Sequence, residues 1–162
     1  MENAHIYIPI EAAAEYLIDD GFEKIFKEGR LLTMGKKYIL VELSYYNMHH
    51  GFYALVFDLQ IAGYQVILAH PERYSYFHDK WPVYEDLKAR GILFQLNTIS
   101  LTGCYSPKVQ KVAEKLIDMG FYDFVATDMH NEEYLANFNK SLYIPHLQKL
   151  VESGRLMNHN LI

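Results

Sequence analysis

Acidic and imidazole side chains recur in this sequence at nearly constant intervals. From Glu42 to His70 is 28 positions, from His70 to Asn97 is 27, and from Asn97 to Asp128 is 31; counting back 27 from Glu42 reaches Glu15. A strand–helix unit takes roughly 30 residues. Polar residues at one phase of successive units would therefore gather on one rim of a parallel sheet, where α/β proteins bind their ligands. His130 lies two beyond Asp128, and alternate side chains of an extended segment share a face. Glu15, Glu42, His70, Asp128 and His130 together offer oxygen and nitrogen donors of the kind that manganese, iron or zinc accepts. Such a cluster can hold two metals that bind a phosphate and acidify a water. Arg73, in Val66-Ile67-Leu68-Ala69-His70-Pro71-Glu72-Arg73-Tyr74, adds a planar double donor matched to phosphate oxygens. Taken singly, each residue has a plainer explanation. A histidine or carboxylate at a strand end can simply cap the next element, and Arg73 beside Glu72 can form a surface ion pair. The recurrence at one phase is what favours a metal site.

The elements that must position these residues read as follows. Tyr38-Ile39-Leu40-Val41 is a strand ending in Glu42, and a helix spans Phe52 to Ala62 with Gly63 as its stop. The next strand delivers His70. Pro82 suits the first turn of a helix to Arg90, closed by Gly91. Ile92 to Leu96 is a strand ending near Asn97, and Ser106-Pro107 opens a helix to Met119, whose Val109, Val112, Ala113 and Leu116 keep three-and-four spacing. Phe124-Val125-Ala126 is a strand leading to Asp128, and Ile144 to Glu152 is a last helix. The start is ambiguous. Propensity alone makes Glu11 to Lys27 one helix, whereas the phase argument predicts a strand from His5 to about Ala14 and a helix from Gly21 to Lys27. The phase argument is preferred here.

Composition narrows the function. The 162 residues predict a single domain, 1–162, with 51% hydrophobic and 22% charged residues and a net charge of −5, so a nucleic-acid footprint is not expected. Neither a signal peptide nor an apolar run near the roughly 18 residues of a membrane span is found. One cysteine fits a reducing cytoplasm. Cys104 has no arginine six positions on, where Gln110 stands, so cysteine-phosphatase chemistry is not supported. No P-loop and no G-x-S-x-G occurs. His49-His50 read as a solvated loop, and His78, His146 and His159 as isolated, exposed residues.

At its motifs the chain resembles the PHP superfamily, and within it the metal-dependent tyrosine-protein phosphatases of bacterial capsule and exopolysaccharide operons, the CpsB/CapC type. The resemblance rests on Ala13-Ala14-Glu15-Tyr16, Leu40-Val41-Glu42, Leu68 to Tyr74, Gln95-Leu96-Asn97 with Ser100-Leu101-Thr102-Gly103, and Thr127-Asp128-Met129-His130. It implies a distorted (β/α) barrel with parallel strands and a multinuclear, commonly manganese site. Glu15, Glu42, His70, Asp128 and His130 would be the ligands and Arg73 the phosphate anchor. The implied reaction is hydrolysis of phosphotyrosine on a bacterial tyrosine kinase that controls polysaccharide export. Two departures stand out. The His-x-His strand with which the family begins is absent, so the expected fold is an incomplete barrel lacking its first βα units and some of its ligands. The exposed sheet edge this leaves favours a homo-oligomer. In addition, Asn131-Glu132-Glu133-Tyr134 supplies acids where relatives can carry an arginine, and acids repel phosphate.

Overall fold

Five short strands alternate their side chains between two faces, and the two faces are very differently covered. The computed structural model describes residues 10–161. Strands β1 (Glu15–Leu17), β2 (Tyr38–Glu42), β3 (Gln65–Ala69), β4 (Leu93–Asn97) and β5 (Phe124–Ala126) form one sheet in sequence order. Every neighbouring pair is parallel. Helices α1 (Asp20–Lys27), α2 (Phe52–Ile61), α3 (Trp81–Ala89) and α4 (Pro107–Asp118) follow the first four strands in turn. After β5 come α5 (Glu132–Ser141) and α6 (Pro145–Glu152). Among the described residues the sheet is open, with β1 and β5 at its edges, as expected for an incomplete barrel. No helix there is long and apolar enough to cross a membrane.

The register separates the two faces. Ile39 pairs with Val66, Val41 with Leu68, Leu68 with Phe94 and Leu96 with Val125. These side chains join the main core together with Phe22, Phe52, Leu59, Leu87, Val112 and Leu116 from the helices. Full burial of such a side chain contributes about 1.5–3 kcal/mol, so this helix-covered face holds the sheet together. The opposite face carries Glu15, Leu40, Glu42, Ile67 and Gln95 in matching register. Its apolar cluster is small: Tyr38, Ile67 and Phe124, with Met34, Met157 and Leu161 packed against them.

The first strand departs from expectation. Its predicted range, His5 to about Ala14, lies partly outside the described residues. The strand observed begins only at Glu15, and neither β1 nor the single helix favoured by propensity occupies 11–14. Asp19 explains the break: it caps α1, its carboxylate accepting from the Gly21 and Phe22 amides at 2.8 and 3.0 Å. Glu15 is thus the first residue of its strand, paired with Leu40, and not a residue beyond a strand's end. The other predicted elements stand within one or two residues of their expected bounds, except that α5 was not foreseen.

Candidate metal centre

The motif His70-Pro71-Glu72-Arg73-Tyr74 turns the chain sharply at the carboxyl end of β3. The His70 amide extends the ladder to the Gln95 carbonyl at 2.8 Å, while its φ of 32° reverses the chain into a short 3-10 turn, Pro71–Arg73. A non-glycine residue in the left-handed region costs on the order of 1–3 kcal/mol, and such strain gathers at functional sites. Asp128, at the exit of β5, shares the feature with a φ of 48°. The turn is braced from inside. Tyr74, buried, donates to the Ala69 carbonyl and accepts from the Leu43 amide, each at 3.0 Å, and so ties the exits of β2 and β3 together. Glu72 points inward, with 0% exposure. It accepts from Ser100 Oγ at 2.6 Å, Tyr122 Oη at 2.9 Å and the Asn97 amide at 3.2 Å. Burial pushes its carboxyl above the ordinary carboxylate range against the pull of these donors. Glu72 is therefore not the surface partner of Arg73 but the post around which the Ser100–Gly103 loop is built. Gly103, with a φ of +76°, ends that loop where an added Cβ would lie 2.9 Å from Gln110 Oε1.

With the turn fixed, the His70 ring faces Glu15 and Glu42. Nε2 lies 3.3 Å from Glu15 Oε1 and 3.5 Å from Glu42 Oε2. One donor atom from each of the three residues lies within 4.8 Å of the others. Same-face parity explains why Glu15 arrives despite its shifted position: it sits two register steps below Glu42, since Glu42 pairs with Leu17, and a glutamate side chain covers the difference. Burial disfavours a charged His70, yet the two carboxylates outweigh it and lift the imidazole to about 9. The neighbouring ring in turn holds the Glu42 carboxyl below its usual value. Two carboxylates and an imidazole nitrogen fit a borderline divalent cation, and three protein donors leave coordination positions open. His70 Nδ1 is buried without a hydrogen-bond partner, so the ring's orientation is set by packing and by the two carboxylates at Nε2.

Beside this trio lies Arg73. Its guanidinium carbon is 4.9 Å from the centre of the Tyr45 ring and 4.2 Å from that of Tyr105. Tyr45 also stacks on His70, with ring centres 5.9 Å apart and planes 16° from parallel. Arg73 Nη1 donates to Asp128 Oδ2 at 3.0 Å, and Asn97 Nδ2 donates to the same oxygen and to Tyr105 Oη, also at 3.0 Å. The sequence-predicted residues thus divide. Glu15, Glu42 and His70 converge. Asp128 and Arg73 form an ion pair that touches the trio through Tyr45. His130 does not join the cluster: its side chain is 65% exposed, and Nδ1 bonds the Asp128 carbonyl at 2.7 Å. The left-handed turn at Asp128 breaks the extended geometry that would have put both side chains on one face. The sequence reading missed Tyr45 and Tyr105, whose loop positions carry no periodic signal, and it counted Asn97 in the repeat without giving it a role. Among the remaining histidines, His159 is exposed as expected, but His78 is half-buried against the Glu72 carbonyl at 2.8 Å. Cys104 is an exposed free thiol.

Comparison with known proteins converges on one group. The chain is 30% identical over 125 residues to the tyrosine-protein phosphatase YwqE of Bacillus subtilis, covering 75% of this chain and 49% of that one. It is 28% identical over 132 residues to a putative tyrosine-protein phosphatase CapC of Staphylococcus aureus, covering 76% and 52%. The fold superposes with a TM-score of 0.70 and 25% identity on a structure described under YwqE from Bacillus subtilis and CpsB from Streptococcus pneumoniae, "unique metal-dependent tyrosine phosphatases", over 91% of this chain and 64% of that one. The chain spans about half the length of the curated relatives it matches. Residues 1–141 match the model for capsular polysaccharide synthesis proteins, CpsB/CapC. With its parallel sheet and rim cluster, the chain belongs to the CpsB/CapC family.

Proposed function

We propose that the chain is a metal-dependent protein-tyrosine phosphatase acting in the control of capsular or exopolysaccharide synthesis. The carrying observation is the shared contact of Tyr45, whose ring joins a cation-accepting trio to an arginine held ready for an anion. Glu15, Glu42 and His70 hold the cation, with manganese the first choice and iron or zinc the alternatives. Asp128 belongs to the same set through Oδ1, the oxygen not taken by Arg73 and Asn97. His130 completes it only by turning inward from its exposed position. A divalent ion at this point supplies Lewis acidity where phosphate oxygens gather. Arg73 presents planar N–H donors to those oxygens and offsets the charge that develops on them. The tyrosine rings around it limit access of water. The substrate is a phosphotyrosine-bearing protein, for which a bacterial tyrosine kinase in the cytoplasm is the proposed partner.

Manganese-loaded protein is expected to hydrolyse p-nitrophenyl phosphate and a phosphotyrosine peptide in preference to histidinol phosphate, and Arg73→Ala to lower kcat/KM by about 100-fold or more. Preference for histidinol phosphate would move the reading to a small-metabolite phosphoesterase. The outlying His130 and the three-donor cluster favour a second reading, a non-catalytic binding or regulatory module. That reading stands if purified protein retains no transition metal and leaves p-nitrophenyl phosphate intact with manganese added.

A further inference from the structure

An arginine that anchors an anion must be held still while its open edge stays free, and a solvated guanidinium on a flexible stem is neither. Arg73 is exposed over only 16% of its side chain. Among the described residues its one ionic partner is Asp128, bound through Nη1 at 3.0 Å. Two aromatic rings lie against its guanidinium, at 4.9 Å for Tyr45 and 4.2 Å for Tyr105. Each ring is itself fixed from elsewhere. Tyr45 stacks on His70, and Tyr105 Oη accepts from Asn97 Nδ2 at 3.0 Å. Tyr105 also meets Tyr134 of α5 edge-on, with ring centres 6.4 Å apart. We propose that Tyr45 and Tyr105 are positioning residues that clamp the Arg73 guanidinium between their rings and so set its affinity for a phosphate monoester dianion.

This rests on the reading of Arg73 as the anion anchor and adds to it the residues that make it one. A guanidinium is flat, delocalised and weakly hydrated, so it stacks on rings without giving up its in-plane donors, whereas an ammonium cannot. The clamp therefore requires arginine and not merely positive charge. It also requires rings and not hydroxyls, at least at Tyr45, where stacking is the contact that matters. Tyr45 faces both Arg73 and His70, so its loss can disturb either. Tyr105 meets Arg73 and Asn97, so its loss reports on the arginine separately from the trio.

The test is calorimetric titration of inorganic phosphate into the manganese-loaded protein, with manganese affinity and melting temperature recorded for every variant. Tyr45→Leu and Tyr105→Leu are each expected to weaken phosphate binding about tenfold, with Tyr105→Leu leaving manganese affinity unchanged. Tyr45→Phe is expected to restore binding, and Arg73→Lys to bind no better than Arg73→Ala. A structural role alone would lower the melting temperature without this ring-dependent rescue. If both leucine variants bind phosphate as the wild type does while Arg73→Ala does not, the clamp is wrong and the anion anchor stands. If Arg73→Ala also binds normally, the anchor itself fails. Arg73→Lys binding as tightly as arginine overturns the clamp independently, with no tyrosine variant needing to fold.

Discussion

Glu72 has no solvent exposure and accepts from Ser100, Tyr122 and the Asn97 amide, so a side chain unable to accept would leave three buried donors unpaired. Each such group costs about 1–3 kcal/mol. Glu72→Ala is therefore expected to destabilise the protein by about 3–5 kcal/mol in urea unfolding, and Glu72→Gln, which keeps an acceptor, by clearly less; equal losses would mean that packing and not hydrogen bonding is at work. His70 makes a second residue-level prediction, for protein freed of metal by a chelator. Glu15 and Glu42 raise its imidazole from 6.5 to about 9, so the folded state holds the proton more tightly than the unfolded chain does. That contribution is fully present below about pH 6.5 and is lost as the pH rises through about 9. The melting temperature of chelated protein is expected to fall across this interval, and less steeply in Glu15→Gln/Glu42→Gln. A wild-type profile as shallow as that of the double variant would overturn the assignment. The sequence made these residues legible unequally. Regular spacing exposed Glu42 and His70 because each ends a strand of one repeating unit. Nothing in the order of residues distinguished Glu72 from a surface charge, because its three donors lie 25, 28 and 50 positions away.

At the scale of elements, strands followed by glycine-closed helices were readable because their apolar spacing and stop signals agree. Two elements were not. β1 was displaced because alanines and glutamate before it favour helix while the phase of the repeat favoured a strand, and the Asp19 cap decided the boundary instead. In the sequence α5 shows only as an acidic stretch. Yet Asn131 caps it through its side chain, accepting from the Tyr134 amide at 3.1 Å, and Glu132 and Glu133 lie in the first turn, where the helix dipole favours acids. The outer edge of β5 shows a third device. Asn158 accepts from the Val125 amide at 3.1 Å and donates to the Val125 carbonyl at 2.8 Å, while the Met157 amide bonds the Asp123 carbonyl at 2.7 Å. A side-chain amide thus substitutes for the backbone of a further strand and blunts the edge. Asn158→Ala should unpair both groups of Val125, lowering stability by about 1–3 kcal/mol and making the protein aggregate on mild heating. Light scattering unchanged from wild type would show that the edge needs no such cover.

For the molecule as a whole, the two faces of the sheet imply two sources of cohesion. The helix-covered face is sewn together by the main core, but among the described residues the opposite face has only the small cluster around Tyr38, Ile67 and Phe124 and, at the rim, polar side chains from β1, β2 and the exit of β3. β1 is a three-residue edge strand, and beyond its pairing with β2 it is tied by Tyr16 Oη to the Leu32 amide at 2.8 Å and by the Ala14 amide to the Leu32 carbonyl at 3.3 Å. A cation shared by Glu15, Glu42 and His70 would cross-link three strands from one point, so its binding should register as folding energy and not only as activity. At about a hundred times its dissociation constant a ligand specific to the native state adds about 2.7 kcal/mol. For a chain of this length that raises the melting temperature by about 5–11 °C. Manganese is expected to give such a rise together with slowed amide exchange in β1, and Glu15→Gln to abolish the slowing in β1 while β3 keeps its protection. A rise in melting temperature that leaves exchange in β1 unaltered would mean that the metal binds elsewhere, and the trio would then be only a charge cluster on the sheet's less covered face.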